Sequence, residues 1–487
     1  MKTQHLLTLF MMVFETLTFC GVFMGWAEIY TVLVKEGYFS QNCNSTTSTM
    51  TECADQTEKL NLVFTITSST APILCLLSGR LYDVKGGWVT RTAMVVVVMV
   101  GNLLCAISQP PTSYLLYLSF PLIYVGGYSV ANTNLGLPNL YDGVKSTAVA
   151  VLCGAFDSSA VVYLMMRKIY DSGAASFHSL FIFSTCYGVV FLLNTFVLTP
   201  RFAIPENPPK DFQYGYKDLS CYKSRRLQSE KSNNAVADVK ASKPEKPNLE
   251  VEPLKSCLTK IYTWTHNLHF CVYHFSLTFF IGSFNNWIEH KIGLSQTEKI
   301  SHFVTVFGTM QCCTILFSPV SGFVNDFFRR KSIERGLASK EANMKASAIT
   351  LMIGDFLIIV MFSIALSKIP EAQYGSMLLQ VAGRSFLYST SASFISVGYP
   401  SAHLGTLYSL MECCGGFVLL LQFPATLLVV RTFQNDYDPV YGSLLSLCVL
   451  ALAHPLYLLR CCAKGAVERR VEKAKESFVN PVYESSV

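Results

Sequence analysis

The ionisable side chains inside otherwise apolar stretches of this chain include Glu15, Asp157, Asp355, Arg384 and Glu412. A charge at membrane depth is costly unless paired or hydrated, so residues of this kind serve ion pairing, substrate recognition or ion movement. Arg384 lies near the middle of its stretch and needs an acidic or carbonyl partner, for which Glu15 and Asp157 are the expected carboxylates. No Ser/His/Asp arrangement converges on these stretches, and none of the 17 cysteines forms a C-x-x-C pattern. Enzymatic chemistry, a metal site and a cofactor are therefore not expected.

The elements that must position these residues are long and apolar. Of 487 residues, 51% are hydrophobic and 14% charged, where soluble proteins carry about a quarter charged. Apolar segments lie near 6–30, 60–82, 92–108, 114–137, 146–166, 177–199, 266–288, 301–324, 346–366, 374–398, 404–430 and 440–460, in two sets of six. Unbroken runs such as Leu444–Leu459 exclude the alternation of a membrane barrel, so the expected fold is all-α with twelve transmembrane helices. The polar stretch 200–265 holds Pro205, Pro208, Pro209, Pro244, Pro247 and Pro253 among many Lys and Glu. It reads as a largely disordered cytosolic linker between an N-terminal half, 1–199, and a C-terminal half, 266–460, with 461–487 as a tail.

Placing both termini in the cytosol puts the linker, Arg329–Lys331 and the tail cluster Arg469–Lys475 inside, with most of the 38 Lys and Arg. The positive-inside rule asks for this asymmetry. The net charge of +6 is then an orientation signal and implies no nucleic-acid partner. The loop after the first segment faces outward and carries the sole sequon, Asn44-Ser45-Thr46, between Cys43 and Cys53. A glycan on Asn44 and a Cys43–Cys53 disulfide are expected there. The first segment runs through Glu15 without a cleavage site and reads as a retained helix.

A loop pattern occurs twice. Gly79 to Asp83 with Arg91 beyond follows the second segment, and Gly322 to Asp326 with Arg329 and Arg330 beyond follows the eighth. Both copies read Gly-x-x-x-Asp, where Gly permits close helix approach and Asp at a helix end pairs with nearby basic groups. One copy means little, but two at equivalent places of two halves signal internal duplication. The pattern resembles the gating loop of the major facilitator superfamily, although Val84 stands where a basic residue is usual. That resemblance implies that segments 1, 4, 7 and 10 line a central path. Each carries polar residues at helical spacing: Thr8, Glu15 and Thr18; Tyr124, Tyr128, Asn132 and Asn139; His274, Thr278 and Asn285; Gln380, Arg384, Tyr388 and Ser391. In that architecture Asp355 is peripheral and structural, and His274 reads as a core histidine more than a proton carrier.

Further motifs narrow the resemblance. Gly25-Trp26, Gly154 to Ala160, Arg384-Ser385-Phe386-Leu387-Tyr388, Tyr399 to His403 and Leu421-Gln422-Phe423-Pro424 are similar to the solute-carrier group that holds L-type amino acid transporters three and four and the equilibrative nucleobase transporter. Phe156-Asp157-Ser158-Ser159 and the compact length look like the nucleobase branch. The resemblance implies facilitative, sodium-independent movement of purine nucleobases across the plasma membrane by alternating access. Glu15, Tyr128, Asn132, Asp157, Gln380, Arg384 and Tyr388 are the expected substrate residues. A uniporter of large neutral amino acids is the alternative, with Arg384 on the carboxylate and Glu15 or Asp157 on the ammonium. A transport-dead scaffold or receptor is a third. At the end of the chain, Phe478, Asn480, Pro481 and Tyr483 form an adaptor-binding run of the endocytic type, and Ser485-Ser486-Val487 a PDZ-type ligand.

Overall fold

The computed structural model describes residues 3–42, 54–141, 144–205, 214–215, 252–293, 296–434 and 436–463. Cys43, Asn44 and Cys53, most of the linker and the tail motifs lie outside the described residues. Among the described residues every regular element is helical. Eight helices combine the length and apolarity of a bilayer span, and ten do so if each of two bent pairs counts once.

In chain order the spans are α1, in two pieces His5–Cys20 and Val22–Lys35, α2 Ala54–Lys85, α3 Gly87–Ile107 and α4 Leu116–Asn134. Then follow α5 Lys145–Asp171, α6 Phe177–Val197, α7 Ile261–Ile292, and α8 in two pieces, Glu298–Cys312 and Thr314–Glu334. The last four are α9 Ser339–Ala365, α10 Gln373–Gly398, α11 Ser401–Val429 and α12 Asp438–Ala463. Helices α7 and α10 are the two that length alone identifies. At 32 and 26 residues they can cross a hydrocarbon core of about 30 Å, but their buried His, Asn, Gln, Ser and Arg dilute the apolar signal. With them the order of helices among the described residues is consistent with the twelve expected segments.

Lipid offers helices no hydrophobic reason to associate, so close packing and interhelical hydrogen bonds hold the bundle together. One cluster of buried apolar side chains draws on Phe19 to Phe191, with Phe23, Trp26, Phe120 and Phe181 at its centre. A second is built mainly from the second half, around Phe280, Phe284, Trp287, Phe362 and Tyr441, and meets the first half at Leu135 and Val149, and a small third one joins Met12, Leu137, Leu152 and Tyr214. Each half thus has its own core. The bend of 48° in α1 falls where a π turn, Thr16–Cys20, runs into a 3₁₀ turn, Val22–Gly25.

The first half also contains a fully buried ion pair. Arg91 of α3 donates to both oxygens of Glu15 at 2.6 Å, Asn194 of α6 donates to the same carboxylate at 3.2 Å, and Thr133 and Asn134 at the end of α4 accept from the guanidinium. This corrects two expectations. Glu15 turns to Arg91 and away from Arg384, and Arg91 is no part of a surface latch. Arg91 stands one turn inside α3, where a charge must find its partner within the bundle. Breaking such a pair from one side leaves an uncompensated buried charge. Glu15→Ala should therefore lower stability by about 3–5 kcal/mol, seen as an earlier unfolding midpoint of the purified protein and lower abundance; an unchanged midpoint would show that the pair does not support the half.

Candidate functional site

Three of the expected substrate residues meet around one guanidinium. Arg384 of α10 donates to Oδ1 of Asp157 at 2.7 Å, across the boundary between the halves, and both side chains are buried. Its other terminal nitrogen donates to Oε1 of Gln311 of α8 at 3.0 Å, and Gln311 in turn donates to Gln380 at 2.7 Å. The Tyr388 ring lies 5.9 Å from the guanidinium carbon, and its hydroxyl meets Nδ1 of His274 at 2.8 Å. Spacings of four residues place Gln380, Arg384 and Tyr388 on one face of α10.

The opposing wall is aromatic. Phe156, next to Asp157, has Tyr128 edge-on at 5.2 Å and Tyr124 at 6.5 Å. Tyr124 and Tyr128 are within electrostatic reach of Glu412, and Tyr124 also of Arg384 and Asp157. Asn132 sits to one side, donating to Sγ of Cys75 at 2.6 Å, and that sulfur faces Ser409 of α11 at 3.4 Å. Several groups at this centre have no hydrogen-bond partner among the described residues: Oδ2 of Asp157, Nε2 of Gln380 and Nε2 of His274; the Glu412 carboxylate has the hydroxyls of Tyr128 and Tyr408 beside it and no N–H donor.

The residues expected to line the path from segment 1 do not reach it. Thr8 bonds Tyr214 of the linker, while Glu15 bonds Arg91 and Thr18 bonds Tyr187 inside the first half. Asn139 likewise donates to the Ile204 carbonyl. Asp355 meets His269 at 3.0 Å within the second half, as its peripheral reading implies. Gln311 was absent from the expectation because segment 8 is not a path-lining position in the resembled architecture; a lone Gln amid apolar residues was its only signal.

The duplicated loops hold one end of the bundle closed. Asp83 accepts from the backbone N–H groups of Gly405 at 3.0 Å and Thr406 at 2.7 Å, in the first turn of the helix starting at Leu404. Asp326 accepts from Ser146 at 3.2 Å, Thr147 at 2.9 Å and the Thr147 hydroxyl at 2.7 Å, in the first turn of the helix starting at Lys145. Each carboxylate thus caps the same two positions of a helix in the opposite half, where free N–H groups and the helix dipole favour negative charge. The partners are helix ends, in place of the expected Arg or Lys; Arg330 lies one turn beyond Asp326. The glycines serve the same joint. A Cβ on Gly79 would strike the Gly405 carbonyl, and one on Gly322 would strike the Thr147 backbone.

No family model matches the chain. The chain is similar to solved transporters along nearly its whole length. The human organic anion transporter MFSD10 (TETRAN) superposes with a TM-score of 0.57 at 13% identity, covering 93% of this chain and 99% of that one. The proton:xylose symporter XylE, of the major facilitator superfamily, superposes at 0.60 and 12% identity, covering 94% and 96%. The fold is that of the major facilitator superfamily. Among curated proteins, the chain is 28% identical to equilibrative nucleobase transporter 1 of Bos taurus, over 94% of this chain and 96% of that one. It is 25% identical to large neutral amino acids transporter small subunit 3 of Homo sapiens, over 92% and 91%. The chain is a multi-pass membrane transporter, not an enzyme.

In this transporter the two caps are equivalent joints between the halves. Hydrogen bonds to charged groups contribute about 1.5–3 kcal/mol each, so Asp83→Ala and Asp326→Ala should loosen the closed end. Peptide-resolved maleimide labelling of buried Cys75 should rise severalfold in both variants; labelling equal to the parent's would mean that the caps do not hold this end shut.

Proposed function

We propose that this transporter carries purine nucleobases such as adenine, guanine and hypoxanthine, passively and without sodium, across the plasma membrane. The observation that supports this most is the state of the central charges. Arg384 and Asp157 neutralise one another at 2.7 Å, and what remains unsatisfied around them is a mixture of donor and acceptor atoms beside aromatic rings. A neutral flat heterocycle brings complementary donors, acceptors and a stacking face. The relative matched at 28% identity bears the name of a nucleobase transporter, in line with this reading.

Alternating access follows from the distribution of bonds. Bonds inside each half make two bodies, and the Asp83, Asp326 and Arg384 bonds, with those of Lys145 to Ser396 and Ile315 to Ser158, are among the links between the halves that rocking must break and remake. The division 1–199, 200–265, 266–460 and 461–487, with both termini cytosolic, is part of this proposal. So are the glycan on Asn44, the Cys43–Cys53 disulfide, and adaptor or PDZ binding by the tail.

One observation favours a second reading. The Arg384–Asp157 pair, if opened, presents both charges that a zwitterionic amino acid needs, and the relative at 25% identity is an amino acid transporter by name. Glu15 is no longer available for the ammonium, since Arg91 holds it. Competition between radiolabelled adenine and leucine separates the two readings: unlabelled adenine should suppress adenine uptake while leucine leaves it unchanged, and the reverse would establish the amino acid carrier. Arg384→Ala should reduce uptake to background with surface abundance retained; normal uptake in that variant would remove the proposed site.

A further inference from the structure

Among the described residues, the other buried carboxylates of the spans and loops are met by N–H groups. Arg91 and Asn194 serve Glu15, Arg384 serves Asp157, the α5 N-terminus serves Asp326 and His269 serves Asp355. Glu412 of α11 is the exception: it is 0% exposed, no N–H group donates to either oxygen, and only the hydroxyls of Tyr128 and Tyr408 address it. A buried carboxylate kept only as a helix clamp would be expected to have a charged or N–H partner, as these others do, because two neutral hydroxyls compensate a buried charge less well.

Its place in the bundle explains what it waits for. The turn of α11 that follows is wedged between the halves, with Gly415 resting on Phe270 and His274 of α7 and Gly416 on Pro72 and Ile73 of α2. The hydroxyls of Tyr128 from α4 and Tyr408 from α11 face the carboxylate, and Asp157 is within electrostatic reach. Tyr388 of α10 is within the same reach. Glu412 therefore borders the centre where Asp157, Arg384, Gln311 and Gln380 converge. That centre offers donors from the Arg384 side and, from the Glu412 side, a pair of acceptor oxygens that no N–H group addresses.

We propose that Glu412 is the acceptor end of the substrate site and receives paired N–H groups of the transported base, while Arg384 and Gln380 address its acceptor edge. This assignment deepens the nucleobase reading and rests on it. A carboxylate matches two adjacent donors in bidentate fashion. Guanine offers such a pair, its ring N1–H beside the 2-amino group. Hypoxanthine keeps only the ring N–H of that edge, and adenine has there an acceptor nitrogen beside a single amino group. Removing the charged acceptor should thus cost guanine more than adenine. At about 1.5–3 kcal/mol for a hydrogen bond to a charged group, the differential is at least about tenfold.

The test uses full-length protein in cells, with surface abundance measured by biotinylation and uptake of radiolabelled adenine competed by unlabelled guanine, hypoxanthine and adenine. In Glu412→Gln, binding of all the bases should weaken, and the guanine concentration for half inhibition should rise at least about tenfold relative to that of adenine. Hypoxanthine should fall between them. Equal changes for all three bases, or none, would overturn the assignment while leaving base transport intact. If the parent protein moved leucine and no base, the nucleobase reading would fail and this assignment with it. Should Glu412→Gln not reach the surface, Glu412→Asp keeps the charge and withdraws it by one methylene. It should show the same order with a smaller differential; if it too is retained inside the cell, or shows no order, Glu412 is structural.

Discussion

A bilayer core provides no water to solvate a charge, so each buried ion in this chain must be answered from within the protein. That constraint sorts the structure. Where the answer comes from the same half, as for Glu15 with Arg91 or Asp355 with His269, the pair makes that half one body. Where it comes from the other half, as for Asp157 with Arg384, the pair is a joint that any exchange of access must open. The two loop carboxylates belong to the second group. They bind backbone N–H groups at helix starts, and a helix start can be released to solvent without stranding an opposite charge in lipid.

The joints also differ in what replaces them. When a loop carboxylate leaves its helix, water at the membrane surface takes over both partners. Arg384 and Asp157 lie deeper, and their separation needs another polar molecule in their place. A transported solute that brings its own donors and acceptors meets this need. Coupling of solute occupancy to rocking then follows from the same electrostatics that hold the resting bundle together.

Much of this was readable in the residues. Most of the spans follow from hydropathy, and the repeated Gly-x-x-x-Asp points to both joints because helix proximity and helix capping demand those residue types. Arg384 with Asp157 was anticipated because a mid-span guanidinium must be answered. Which carboxylate answers it was open, since periodicity places Glu15 and Asp157 on helix faces but does not say which faces meet. The bend in α1 between a π turn and a 3₁₀ turn resets its face, and with it the direction of the polar stripe through Thr8, Glu15 and Thr18. Gln311 was missed for a related reason: α8 is bent near that residue, and a single amide carries no periodic signal. Glu412 was visible as a buried acid, yet only the accounting of its hydrogen bonds separates it from the structural acids.

The account stands on the centre between the halves being a binding site for a base. Thermal unfolding of the purified protein with added solute tests this without assuming transport. Ligand at a hundred times its dissociation constant stabilises the folded state by about 2.7 kcal/mol. Adenine should therefore raise the unfolding midpoint of the parent protein, leucine should not, and Asp157→Asn should lose the adenine response. A midpoint that rises with leucine and ignores adenine, or an adenine response that survives in Asp157→Asn, would contradict the account.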